Sequence, residues 1–203
     1  MSTEELAVQE GVATAGRMPR TGRRLLSRRS DAALVRAAQR GSAEAAEELF
    51  RRHWPAAHRT AWLVVGDAAA AEDIAQEAFL AALRALHRFD RRRPLAPWLH
   101  RIVVNRAIDF ARARALRRET APEAAGEPGA ADPEAGLGDE LLDALAALGP
   151  QVRAVVVLRH LLGYTPGEIA AMLGVPRGTV NSRLRRGLDA LADVLDDDRR
   201  ASP

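Results

Sequence analysis

Residues 165–191, TPGEIAAMLGVPRGTVNSRLRRGLDAL, restrict the fold more than any other stretch of the chain. Thr165 and Glu168 stand at capping-box spacing, so each side chain can satisfy an orphan amide at a helix start. Pro166 falls at the first helical position, where its missing N–H costs nothing. Ile169, Ala170 and Leu173 make an apolar stripe, and Gly174 can take the left-handed conformation that closes a helix without strain. Pro176 can open a second helix, for which Val180, Leu184, Leu188 and Leu191 are the predicted buried face. The stretch therefore reads as two helices joined by a tight turn.

Ala170 is small where these helices would cross, and Val180 lies ten residues further on, across the glycine turn. That packing pattern belongs to a helix-turn-helix, whose second helix enters the DNA major groove. The outer face of the second helix carries Arg177, Asn181, Ser182, Arg183, Arg185 and Arg186. Arginine grips guanine edges in bidentate fashion, and asparagine or serine can hydrogen-bond bases or phosphates.

The other helices follow from periodicity. Alanine, leucine and arginine dominate the 203 residues, and 47% are hydrophobic, enough for real cores in an all-α protein. The net charge is only +3, so local basic patches matter more than the sum. All 30 basic residues are arginine, which suits phosphate and guanine recognition but also follows from a GC-rich coding sequence. Cysteine is absent, which excludes disulfides, thiol redox sensing and cysteine-bound zinc. No apolar run approaches membrane-spanning length, and the first residues lack the pattern of a signal peptide, so a cytoplasmic protein without membrane insertion is expected.

Five segments are expected. Residues 1–30, with GRMPRTGRRLLSRRS, read as a flexible basic arm. Residues 31–118 form a first helical domain. In it Asp31 caps a helix with Leu34 and Val35 inward and Gly41 as its stop. Ser42 caps a long helix that Pro55 kinks but does not end, with Leu49, Phe50, Trp54, Ala57, Ala61 and Val64 on its apolar side. A third helix starts at Gly66 and Asp67 and runs to Phe89, burying Ile74, Ala78, Phe79, Ala82, Leu83 and Leu86. Its other face shows Asp73, Gln76, Glu77, Leu80 and Arg84, an acidic surface interrupted by leucine that suits a partner helix. Pro97 opens a fourth helix with Trp98, Leu99, Ile102, Val103 and Phe110 on its core side. Arg101, Asn105, Asp109 and Arg112 make its polar side.

Residues 119–138 alternate proline, glycine, alanine and acidic residues as in an extended linker. Residues 139–195 form a second helical domain ending in the helix-turn-helix, and residues 196–203 a polar tail. The histidines His53, His58, His87, His100 and His160 make no metal-ligand spacing, and no phosphate loop or nucleophile elbow is present. Neither an enzyme, a metal site nor a cofactor is expected.

Four segments carry a family resemblance: DAALVRAAQRGSAEAAEELFRRHW, AEDIAQEAFLAALRAL, PLAPWLHRIVVNRAIDFARARALRR and LGPQVRAVVVLRHLLGYTPGEIAAMLGVPRGTVNSRLRRGLDAL. Together they resemble the bacterial RNA polymerase sigma factors of the extracytoplasmic-function (ECF) group of the sigma-70 family. The resemblance implies two small helical domains, sigma domains 2 and 4, joined by the acidic linker. It implies a transcription initiation factor that binds core RNA polymerase at the β′ clamp helices and β flap, directs it to promoter DNA and helps open the duplex. Core docking would fall to Asp73, Gln76, Glu77 and Leu80. The −10 element would meet Arg101, Asn105, Arg106, Arg112 and Arg114, with Asn105 helping to hold a flipped base. The −35 element would meet Arg177, Thr179, Asn181, Ser182, Arg183, Arg185 and Arg186. The linker would thread the polymerase channel as an RNA mimic, and an anti-sigma factor is an expected partner.

Two departures stand out. Asn181 sits where many relatives carry a basic residue, and Gly167 where a polar helix former is usual. The competing reading is a conventional helix-turn-helix regulator that binds duplex DNA on its own.

Overall fold

Capping chemistry decides where the helices of the first unit begin. The computed structural model describes residues 29–120 and 139–201. The arm up to 28 and the linker over 121–138 lie outside them. Helix α1 (Asp31–Ala38) is capped by Ser30, which accepts from the Ala33 amide. Asp31 is thereby freed to bind Arg52 at 2.5 Å and His53 at 2.8 Å. Gly41, the expected stop, takes φ +92° just beyond the helix, while the Gln39 amide donates to the Leu86 and Phe89 carbonyls. Helix α2 (Ala43–Val65) starts on Ser42 and runs through Pro55. Gly66 ends it in the left-handed region, and Asp67 caps α3 (Ala68–Ala85).

Helix α3 is shorter than its periodicity predicts. It gives way to a 3-10 turn, Leu86–Arg88, which folds Leu86 under α1. Leu83, expected inside, is 41% exposed, and Phe50 is 37% exposed although it stacks on Trp54 and packs at a tilt against Phe79. Helix α4 (Leu95–Thr120) begins two residues before the expected Pro97 and buries Leu99, Val103, Val104, Ala107 and Ile108. Trp98, Ile102 and Phe110 are only half-buried.

In the second unit α5 (Asp139–Ala147) leads to α6 (Pro150–Val156), whose end widens into a π turn, Val157–Leu161. The helix-turn-helix is α7 (Pro166–Leu173) and α8 (Arg177–Ala201). The Thr165–Glu168 capping box is formed in both directions, and Gly174 closes α7 at φ +65°. Helix α8 starts at Arg177, one residue after Pro176, and remains helical to Ala201, through most of the expected polar tail. Adding residues to an existing helix is cheap compared with nucleating one.

One predicted core position in α8 is wrong. Leu188 is 44% exposed, and Gly187 is buried instead. At about 100° per residue, Leu188 lies about 80° round the helix from Val180, whereas position 187 returns to within about 20°. A Cβ built on Gly187 would stand 2.6 Å from Val156 Cγ2 and 2.9 Å from Val152 Cγ1. The glycine thus lets α8 lie directly against α6.

The two units share one core. A single buried cluster joins Ala61, Val64, Phe79, Val103, Val104 and Ile108 to Val155, Leu158, Ile169 and Val180. A separate cluster lies under α1, and another joins α5, α6 and α8.

The close approach at Gly187 sets a stability test. Gly187→Ala is expected to destabilise the fold by about 1–3 kcal/mol through overpacking, despite alanine's better helix propensity. Thermal unfolding monitored by circular dichroism checks this, and an unchanged or raised midpoint would contradict the packing.

Candidate nucleic-acid interface

The helix-turn-helix presents its polar face as the spacing predicts, with one exception. Arg177, Asn181, Ser182, Arg185 and Arg186 are exposed, and Thr179 is half-buried near the start of α8. Ser182 Oγ donates to the Thr179 carbonyl at 3.0 Å, a local bond that an external acceptor could replace. Arg183 turns inward and donates to Gln151 Oε1 on α6. Burial, followed by the nearby cations Arg112 and Arg186, lowers its pKa.

The five candidate residues on α4 have different surroundings. Arg106 donates to Glu77 on α3 at 2.7 Å, joining a −10 candidate to a docking candidate. Both side chains are partly exposed, so this pair contributes about 0–1 kcal/mol and opens readily. Arg114 binds Asp67 at 2.9 Å, and Asp67 is the N-cap of α3. Arg114 therefore supports a helix start. Arg112 lies 3.7 Å from Asp109. Asn105 and Arg112 line a cleft with Ile108, Gln151, Leu173 and Arg183, and Arg101 lines another with Trp98, Ala171 and Met172. Arg88 and Arg93 border the Arg101 cleft as well; Arg88 falls at the end of the expected third helix and Arg93 in the arginine run after it, and neither is among the expected site residues. A run of arginines beside Pro94 and Trp98 was the available signal.

Asp73, Gln76, Glu77 and Leu80 stand together, exposed, on one side of α3. Leu80 is 53% exposed, and Gln76 donates to Glu72 at 3.2 Å. Charged side chains surrounding one exposed leucine suit a partner that offers both charge and an apolar contact.

Polar groups at the seam between the units were not legible as such. The Arg153 guanidinium on α6 donates to the Val64 carbonyl at the end of α2, to the Ala146 carbonyl in the last turn of α5 and to the Leu148 carbonyl just beyond it. Helix C-termini carry partial negative charge, so these carbonyls offset part of the buried cation. Burial lowers the Arg153 pKa to about 10, which leaves it charged at neutral pH. His100 on α4 is buried with its Nδ1 2.7 Å from the Tyr164 hydroxyl. Desolvation, then the nearby His53, lowers the His100 pKa to about 4.

Among the described residues no helix is long and apolar enough to cross a membrane.

The comparisons with known proteins agree with this layout. The chain matches Sigma-70 region 2 over residues 49–117 and Sigma-70, region 4 over residues 138–191. ECF RNA polymerase sigma factor SigM of Mycobacterium tuberculosis (strain ATCC 25618 / H37Rv) is 40% identical over 169 residues, 82% of this chain and 85% of the relative. The chain belongs to the ECF sigma factors. SigE of Mycolicibacterium smegmatis, also an ECF RNA polymerase sigma factor, is 38% identical over 157 residues. That match spans 73% of this chain and 61% of the relative's length. The structure of CnrH in complex with the cytosolic domain of CnrY matches with TM-score 0.61 and 31% identity, covering 83% of this chain and 98% of CnrH. Regions 2 and 4 fall on the two helical units, and the conventional-regulator reading is not favoured.

The depressed histidine gives this sigma factor a pH signature. His100 binds a proton near pH 6.5 when exposed but only near 4 when packed. Its contribution is therefore intact above about 6.5 and is lost as pH falls toward 4. At pH 5 the loss amounts to about 2 kcal/mol. His100→Gln is expected to flatten this part of the stability–pH curve in denaturant titrations, and an unchanged slope would contradict it.

Proposed function

We propose that this ECF sigma factor binds core RNA polymerase and directs it to promoters with a −35 and a −10 element. The observation that carries the reading is the division of exposed chemistry along one chain: an acidic, leucine-bearing face on α3 and a basic face on α8. These faces fall within the segments matched to regions 2 and 4.

Asp73, Gln76, Glu77 and Leu80 dock on the β′ clamp helices, and the second unit meets the β flap. Asn105 receives a base drawn from the nontemplate strand, and Arg101, Arg106 and Arg112 contact the backbone around it. Arg114 joins them only after leaving Asp67. On α8, Arg177, Asn181, Ser182, Arg185 and Arg186 read the −35 duplex, with Thr179 at the helix start and Arg183 at its edge.

Each DNA surface is small. Polymerase holding both units on one promoter adds their weak contacts through effective concentration. Unstacking a base costs a few kcal/mol, which a pocket for the extruded base offsets. The role needs no catalysis by the chain itself and places it in the cytoplasm. The similar chain CnrH forms a complex with the cytosolic domain of CnrY, which supports a protein partner for this chain, proposed here as an anti-sigma factor.

Two substitutions test separate parts of this reading. Asp73→Lys with Glu77→Lys is expected to abolish retention on immobilised core polymerase while the circular dichroism spectrum stays helical. Undiminished retention would remove the docking assignment. Arg186→Ala is expected to cost about 1–3 kcal/mol and to relax preference at one position of the −35 element if it contacts a base. An equal loss across all −35 sequences would make Arg186 a phosphate contact.

A further inference from the structure

Several elements converge on one cleft at the seam. Asn105, Ile108, Asp109 and Arg112 come from α4 and Gln151 from α6, while Leu173 and Val175 flank the turn and Arg183 stands on α8. The cleft volume is about 240 Å³. That is room for roughly eight water molecules at ~30 Å³ each. It falls below the ~300 Å³ at which pockets for drug-sized ligands begin. The space suits a small ligand and is too little for a DNA strand.

The polar lining is rich in donors that lack acceptors. Arg183 donates to Gln151 Oε1, which leaves the Gln151 amide N–H groups as further donors. Half-buried Asn105 has no side-chain partner among the described residues. Asp109 is the one carboxylate on the cleft. It stands 3.7 Å from Arg112 and its side chain is 76% exposed, so water screens the pair. Among the described residues neither arginine reaches another carboxylate. Two guanidinium charges thus face one solvated carboxylate, over apolar side chains of Ile108, Leu173 and Val175. The repulsion is felt at Arg183, whose pKa is lowered by burial first and then by Arg112 and Arg186.

We propose that this cleft binds a small phosphate-class dianion, held between Arg112 of the first unit and Arg183 of the second. The ligand class follows from the lining. Two guanidiniums on different helices can each offer parallel N–H donors to separate oxygens of a tetrahedral group. A monocarboxylate would satisfy only one of them. The Asn105 and Gln151 amides supply further donors, and the apolar side chains beneath strengthen each charged contact by lowering the local dielectric. Inorganic phosphate and a small phosphomonoester share this chemistry. On the promoter reading above, Arg112 contacts the −10 backbone, so the bound anion and single-stranded DNA compete for that residue.

The test uses the full chain. Inorganic phosphate is titrated into it by calorimetry at mildly alkaline pH, with chloride holding the ionic strength constant so that screening does not change. Saturable binding at a single site per chain is expected. Arg112→Gln and Arg183→Gln are each expected to weaken it at least about ten-fold, the ratio for one lost bond to a charged group. Arg59→Gln removes an exposed arginine of α2 that does not line the cleft, and is expected to leave binding unchanged. Arg112 is itself exposed, so Arg112→Gln tests the site even if Arg183→Gln fails to fold. Ribose 5-phosphate separates the two sources: binding tighter than that of inorganic phosphate identifies a phosphomonoester, and weaker binding the free anion.

No saturable phosphate binding, or binding that Arg112→Gln leaves unchanged, would overturn the site. Competition is read separately, as retention of a fluorescent random single-stranded DNA by the chain on core polymerase, in phosphate against chloride. Phosphate is expected to weaken retention with the unsubstituted chain and not with Arg112→Gln. Equal retention in both salts would overturn the competition. Failure of the chain to bind core would overturn the initiation reading and leave the phosphate titration standing.

Discussion

Ala154 to Leu158 are five consecutive buried residues, and the fold depends on the environment they require. A surface helix alternates buried and exposed positions every three or four residues, so a run hidden all round must be covered on every side. Here Ile169 and Val180 of the helix-turn-helix share its core, as do Val64, Val103 and Val104 of the first unit. Val156 turns to the cluster that contains Ala144, Leu145 and Leu191. The same segment carries Arg153 at one end and the π turn at the other. The wider turn lets the chain leave for Tyr164, whose amide bonds the Leu158 carbonyl at 2.9 Å.

That central segment links the architecture to the function. It orients the helix-turn-helix relative to α4, and so determines which candidate DNA residues face solvent and which face each other. Arg185 and Arg186 are presented outward, whereas Asn105, Arg112 and Arg183 converge. Separating the units would leave Arg153 without the Val64 carbonyl and His100 without Tyr164, and would expose a valine-rich surface to water. The seam is thus held by a few polar groups over an apolar core.

Local chemistry was legible wherever a short motif carries its own geometry. Ser42, Asp67 and Thr165 cap as their spacing predicts, and Gly66 and Gly174 end helices in the left-handed region. Periodicity found the helices but misjudged their edges. Leu188 fits the apolar stripe because it follows Leu184 by four residues, whereas a glycine whose absent side chain matters gives no hydrophobic signal. Leu83 fits the α3 stripe by spacing, yet it emerges where the helix tightens into a 3-10 turn. The arrangement across the seam was not legible. VVVL reads as a buried run without saying what buries it, and nothing local tells that His100 meets Tyr164 sixty-four residues away. Family resemblance supplied the roles of Asp73, Asn105 and Arg186, which neither charge nor periodicity distinguishes from a solvated face.

The central claim is that this chain confers promoter choice on core RNA polymerase. Run-off transcription with purified core on a library of GC-rich promoters, with and without the chain, tests it most directly. The account predicts discrete start sites that appear only with the chain and share spaced −35 and −10 elements. No chain-dependent transcripts, together with tight duplex binding by the chain alone, would contradict it.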